Sequence, residues 1–251
     1  MDNPISCRKS NKQNIRISQH ELRPISQLPE AITYLGHTPK ASIGIAVGMS
    51  LRNSLPIIQS TDINIFSTCF EEIKTLICEP NLNIKIIGPN SESDLQLASL
   101  LPNLKILEPA DANEAEQMTN FLAKDFGPTY MRVNSQKTQE VFNKHYKFKL
   151  GKNRVTESGD EIALFVSGQS RSRETRKILE KQGRSAAIIN VSSLNPIDEN
   201  QIKVTAQKYW KMVVIGNQFL ANEIEKLTGK KVQSLSAHNL TPAEIADKII
   251  D

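Results

Sequence analysis

The chain has 251 residues, 39% of them hydrophobic, enough to bury a real core in one large domain or two ordinary ones. Its 31 basic and 27 acidic side chains leave a formal charge of +4, read along the chain as a mild, interspersed excess, so neither nucleic acid nor a membrane is expected as a partner. Cys7, Cys69 and Cys78 form no CxxC pair and are odd in number, which argues against a disulfide framework or a zinc site and fits a reducing, cytoplasmic setting.

The first residues, to about 27, are polar and lack sustained periodicity, so they read as a loosely docked arm. They contain no apolar leader core, and no later run approaches the eighteen apolar residues of a membrane span. With no secretion expected, the sequons at Asn190 and Asn239 are read as chance. From residue 28 onward strand-like runs alternate with helix-like stretches. LPIIQST (55–61) precedes a helix from about Phe66 to Cys78, then NIKIIG (83–88) and LKILEP (104–109). A helix over 111–126 follows, opened by the D-x-x-E pair Asp111 and Glu114, which reads as an N-terminal cap, and PTYMRV (128–133) closes the set. Short β-rich runs punctuated by Pro, Asn and Gly, with helices between, predict a parallel sheet covered on both faces.

Residues 135–158 are polar and rich in Lys, Asn and Gln and read as a linker. Beyond them the alternation restarts: EIALFVSG (161–168), a helix over 172–183, AAIINVSS (186–193), DENQIKVTAQKY (198–209), KMVVIGN (211–217), a helix over 222–228, KKVQSLS (230–236) and a last helix over 242–250. The predicted fold class is α/β, two three-layer domains with mainly parallel sheets. The domains are expected at 28–134 and 159–251, with an arm over 1–27 and a linker between.

Six motifs, GHTPKASIGIAVG, STDINIF, LPNLKILEPADANE, GPTYMRV, GDEIALFVSG and NPID, follow one another along the chain. In that order, and with spacing near that of the family, they resemble the C-terminal section of the transketolase family, the thiamine diphosphate enzymes that include deoxyxylulose-phosphate synthases. The resemblance runs from about Gly36 to the end. It implies a truncated pyrimidine-binding domain joined to a transketolase C-terminal domain, without the N-terminal domain that binds diphosphate and metal.

The resemblance also implies where chemistry should sit. Thiamine enzymes need a carboxylate beside the aminopyrimidine ring, and the register of Gly36, Gly44, Ala46 and Gly48 puts Pro39 there. The stacking aromatics of the family's S-T-F-x-x-F fall on Asp62 and Ile65, with Phe66 one position late and read as core. The segment between Gly88 and LPN is about half the family's length and has no histidine. A phosphate-holding arginine of the family falls on Ser135, although Arg132 remains. The family's opening strand and helix look absent, which would leave a sheet edge open. Gly44 and Gly48, by contrast, keep the spacing that lets helices approach closely.

These readings predict no catalytic residue, no cofactor and no metal. Two candidate anion sites remain, Arg132 at a strand end and the cluster Arg171, Arg173 and Arg176 at a helix start, the latter equally readable as a solvated basic face. His20, His37, His145 and His238 show no ligand spacing, although His37 adjoins the missing acid. The leading expectation is a non-catalytic or regulatory partner subunit, as a homodimer or in a hetero-oligomer with a transketolase-like N-terminal chain. The alternative is the C-terminal subunit of a split transketolase, in which case thiamine diphosphate and magnesium are required.

Overall fold

A computed structural model describes residues 38–60, 64–133, 140–168, 171–236 and 240–250, together with the backbone of 14–18 and 32–34. The described chain divides into two compact units: residues up to 106 with 118–135, and 107–117 with 136 onward.

In the first unit the strands are β1 (Asn14–Ser18), β2 (Ile32–Tyr34), β3 (Leu55–Gln59), β4 (Lys85–Pro89), β5 (Lys105–Leu107) and β6 (Thr129–Val133). They lie in the order β5-β6-β4-β3-β1-β2, and the ladders β6·β4, β4·β3, β3·β1 and β1·β2 are all parallel. Ile57, Ile58, Ile86 and Ile87 are buried, as parallel strands covered on both faces require. The unit's helices are α1 (Pro39–Ser50), α2 (Ile65–Thr68), α3 (Phe70–Ile73), which runs into a π turn over Lys74–Cys78, and α4 (Glu92–Ser99). Ser91 caps α4, its hydroxyl accepting the Asp94 N–H at 3.3 Å.

Two expectations change here. Asn14–Ser18 falls in the segment read as an arm, yet it is a strand seated between β3 and β2, so the sheet does have an opening strand. The glycines of α1 meet no neighbouring helix among the described residues: apart from chain neighbours and the helix's own backbone, no described atom lies within 4 Å of where a Cβ on Gly44 or Gly48 would stand.

In the second unit the strands are β7 (Arg154–Glu157), β8 (Ile162–Val166), β9 (Ala186–Asn190), β10 (Ser193–Asn195), β11 (Lys211–Ile215) and β12 (Gln233–Leu235). A five-stranded sheet runs β12-β11-β8-β9-β7, parallel except for β7, which is antiparallel to β9. β7 lies inside the stretch read as a linker. Its exposed residues alternate too weakly to announce a strand, and it completes the sheet edge. Helix α5 (Ala112–Leu122) crosses the boundary between the units in sequence; α6 (Ser172–Lys181), α7 (Glu199–Lys208), α8 (Gln218–Thr228) and α9 (Pro242–Ile250) follow. Ile162, Leu164, Val166, Val213, Ile215 and Ile249 form the core between sheet and helices. Full burial of each such side chain contributes roughly 1.5–3 kcal/mol.

Helix ends follow local chemistry. Asn217 caps α8 through the Leu220 N–H, and Gly229 ends it at φ 66°, a left-handed turn that glycine adopts without a Cβ clash. Thr241 and Glu244 form a reciprocal capping box at α9.

Candidate functional site

The candidate centre in the first unit begins at the start of α1. Thr38 is the N-cap, its hydroxyl accepting the Ala41 N–H at 3.3 Å, and Pro39 occupies the first helical position. That position suits proline, because its missing N–H would have had no partner in the helix. The first turn carries no acidic residue. Lys40, next in line, meets Glu72 of α3 at 2.6 Å; the pairing raises the Lys40 pKa and lowers that of Glu72.

Ile65 opens α2 and is fully buried. Phe66 is fully buried too, with its ring centroid 4.5 Å from that of Tyr130, and its N–H donates to Asp94 Oδ1 at 3.3 Å. The Tyr130 hydroxyl donates to the Pro89 carbonyl at 3.1 Å. Phe66 is thus core in this unit, clamped between α4 and β6. Arg132 is only 2% exposed; its guanidinium donates to Asn90 Oδ1 and to the Ser91 carbonyl, tying β6 to the loop that enters α4. Asp62, Ser135 and His37 lie outside the described residues.

The arginines of α6 each meet acceptors of the protein itself. Arg171 donates to the Leu240 carbonyl at 3.0 Å, and Arg173 to the Glu140 carbonyl at 2.6 Å. Arg176 donates to the carbonyls of Ala186 and Ser158 and pairs with Glu180 at 2.7 Å, while Glu157 faces both Arg173 and Arg176. These guanidinium groups pin neighbouring segments to α6.

The most elaborate polar cluster reads from sequence only as a helix cap. Asp111 does cap α5, Oδ1 accepting the Glu114 N–H at 2.8 Å, while Glu114 Oε2 accepts the Ala110 N–H at 2.8 Å. Both carboxylates then reach further. Asp111 Oδ2 accepts the N–H groups of Val141 and Phe142, each at 2.6 Å. Glu114 Oε1 accepts the hydroxyls of Ser192 at 2.6 Å and Tyr146 at 3.1 Å. Burial pushes the Glu114 carboxyl above the usual range, with the Ser192, Ala110 and Tyr146 donors opposing it. Asn190, the residue of one sequon, is buried beside Ser192. Among the described residues, no group of three or more His, Cys, Asp or Glu is placed to hold a metal, and no helix is long and apolar enough to cross a membrane.

No protein-family model matches the chain. A Methanocaldococcus jannaschii protein named as a transketolase C-terminal section is 23% identical over 194 residues, 70% of this chain and 61% of that protein. One subunit of the apulose-4-phosphate transketolase of Actinobacillus succinogenes is 24% identical over 189 residues, 69% of this chain and 61% of its own length. A solved split-gene transketolase, described as an inactive beta4 tetramer, superposes with a TM-score of 0.85 at 21% identity, covering 95% of this chain and 91% of that one. The chain is a relative of the transketolase C-terminal section. It spans 61% of the length of the first two transketolase relatives, and its two mostly parallel sheets with flanking helices are the transketolase fold.

Proposed function

We propose that the chain is the C-terminal subunit of a two-chain, transketolase-type transferase, which moves a ketol unit between sugar phosphates when assembled with a separate N-terminal subunit. The observation that supports this most is α1. The helix is apolar nearly all round, a pattern that belongs to a covered helix, yet Gly44, Ile45 and Gly48 stand exposed with no described neighbour over either glycine. The Actinobacillus succinogenes relative is named as one subunit of a transketolase, and a companion subunit is the kind of partner that would cover this helix.

Thiamine diphosphate is the cofactor that the family implies, and this chain's own residues do not fit its pyrimidine ring. The first turn of α1 offers Pro39 and no carboxylate, and Phe66 is already packed on Tyr130. No step through the cofactor is therefore assigned to this chain. That mismatch favours a second reading, in which the assembled subunit is non-catalytic and regulates its partner or stabilises it.

The test is to mix the purified chain with the N-terminal subunit of a split transketolase. Complex formation is followed by sedimentation velocity and ketol transfer by product formation, with thiamine diphosphate and magnesium present. Assembly with turnover supports the enzyme subunit. Assembly without turnover, gained on Pro39→Glu, supports the non-catalytic partner. If neither a mixed complex nor a homodimer forms, both readings fall.

A further inference from the structure

The basic excess of this protein is more local than its sequence first suggests. Residues 141–156 contain five basic side chains and no acid, a formal +5 that exceeds the +4 of the entire chain and leaves the remainder close to neutral. Lys152 of this stretch is answered by Asp198 at 3.4 Å. Lys147, Lys149 and Arg154 are not: among the described residues no carboxylate pairs with any of them. All three, with His145, line a groove of about 690 Å³ in the second unit.

The groove wall is held in place. Tyr146 stacks on Phe142, ring centroids 4.0 Å apart at 20°, and the Arg154 guanidinium lies 5.6 Å from the centroid of the Tyr146 ring. The Tyr146 hydroxyl is anchored on Glu114, and the backbone of Val141 and Phe142 on Asp111. Asn113 adds a hydrogen bond to the Phe142 carbonyl at 2.7 Å. The buried carboxylates Asp111 and Glu114 at the start of α5 therefore fix the backbone of a segment without regular secondary structure, so that binding has to order only the side chains of its cations. The Tyr146 ring is thus engaged by Phe142 and by Arg154, and the groove offers mainly charge. A guanidinium with two ammonium groups suits several phosphate groups on one small molecule.

We propose that this groove binds a small oligophosphate, free or as the phosphate chain of a nucleotide, through Lys147, Lys149 and Arg154. The site lies in the second unit, away from α1 and Pro39 in sequence, and is independent of the subunit function.

The test titrates tripolyphosphate and, separately, ATP into the full chain without magnesium, by calorimetry at low ionic strength. One site per chain is expected. Binding should weaken about tenfold or more in Lys147→Ala/Lys149→Ala and should fall as salt screens the groove. Lys226→Ala, an exposed lysine on α8, should leave it unchanged; circular dichroism verifies that each variant is folded. Equal affinity for the two probes assigns the groove to the phosphate chain, and tighter ATP binding assigns it to a nucleotide. Absence of saturable binding overturns the proposal, as does an equal loss in the Lys226 variant. A single-stranded oligonucleotide that outcompetes tripolyphosphate at equal phosphate concentration overturns it in favour of a nucleic-acid surface.

Discussion

Lys85 sits in an environment far from the usual one of a lysine. It is fully buried on β4, with its ammonium donating to the carbonyls of Asp125 at 2.9 Å and Gly127 at 2.7 Å. Burial lowers its pKa from 10.5 to about 8, with Asp125 opposing the shift. A depressed lysine pKa means that the unfolded chain binds the proton more tightly, so the cost is full below about pH 8 and is relieved as pH rises toward 10.5. Chemical denaturation should show the stability of the wild type gaining on that of Lys85→Met over this window, by on the order of 3 kcal/mol at its upper end. Cys78 is the opposite case: burial pushes its thiol up to about 12, and with Cys69 also buried neither should react with a thiol reagent until the fold opens. Pro39→Glu belongs to this scale as well. An acid in the first turn suits the helix, while loss of the ring loosens the unfolded chain, so urea unfolding should register a change of no more than about 1 kcal/mol. What sequence can say about these residues differs sharply. Pro39 is legible because its register hangs on glycines in the same helix, whereas the fate of Lys85 depends on carbonyls about forty residues away.

At the scale of elements, α5 joins two roles. Its capping residues are visible as D-x-x-E, but the partners of those carboxylates lie 30 and more residues downstream, beyond any local pattern. Asp111→Ala should strand the N–H groups of Glu114, Val141 and Phe142 and cost about 2–4 kcal/mol. Hydrogen exchange should then accelerate at Val141 and Phe142 before it does in β8, which separates release of the segment from global unfolding. The strands show the same division. β8, IALFV, is buried at every position and declares itself as an uninterrupted apolar run. β1, NIRIS, alternates over only five residues within a polar context, and β7, RVTE, lies at a sheet edge with its first two residues exposed. Such strands owe their existence to neighbours already in place, which tertiary pairing supplies and propensity does not. The arginines of α6 are conspicuous as a charged run, but their partners are largely backbone carbonyls, a class of contact that composition never reveals.

For the whole molecule, the decisive property is what it leaves uncovered. Ile45 is 41% exposed on the apolar α1, beside Gly44 and Gly48. Ile45→Asp should leave the melting temperature of the isolated chain nearly unchanged and abolish association with an N-terminal subunit or a second copy, as read by sedimentation velocity. A large drop in stability would mean instead that the helix is needed for folding of the chain itself.

The opening turn of α1 also bears on descent. Pro39 occupies the first helical position, where its missing N–H breaks no bond of the helix, so exchange with glutamate in either direction leaves the helix intact. Selection for a folded, partner-binding chain leaves this turn unguarded, and only selection for the reaction keeps an acid there. A copy released from the reaction by gene duplication would therefore drift first at this turn, with its sheets and its association face intact.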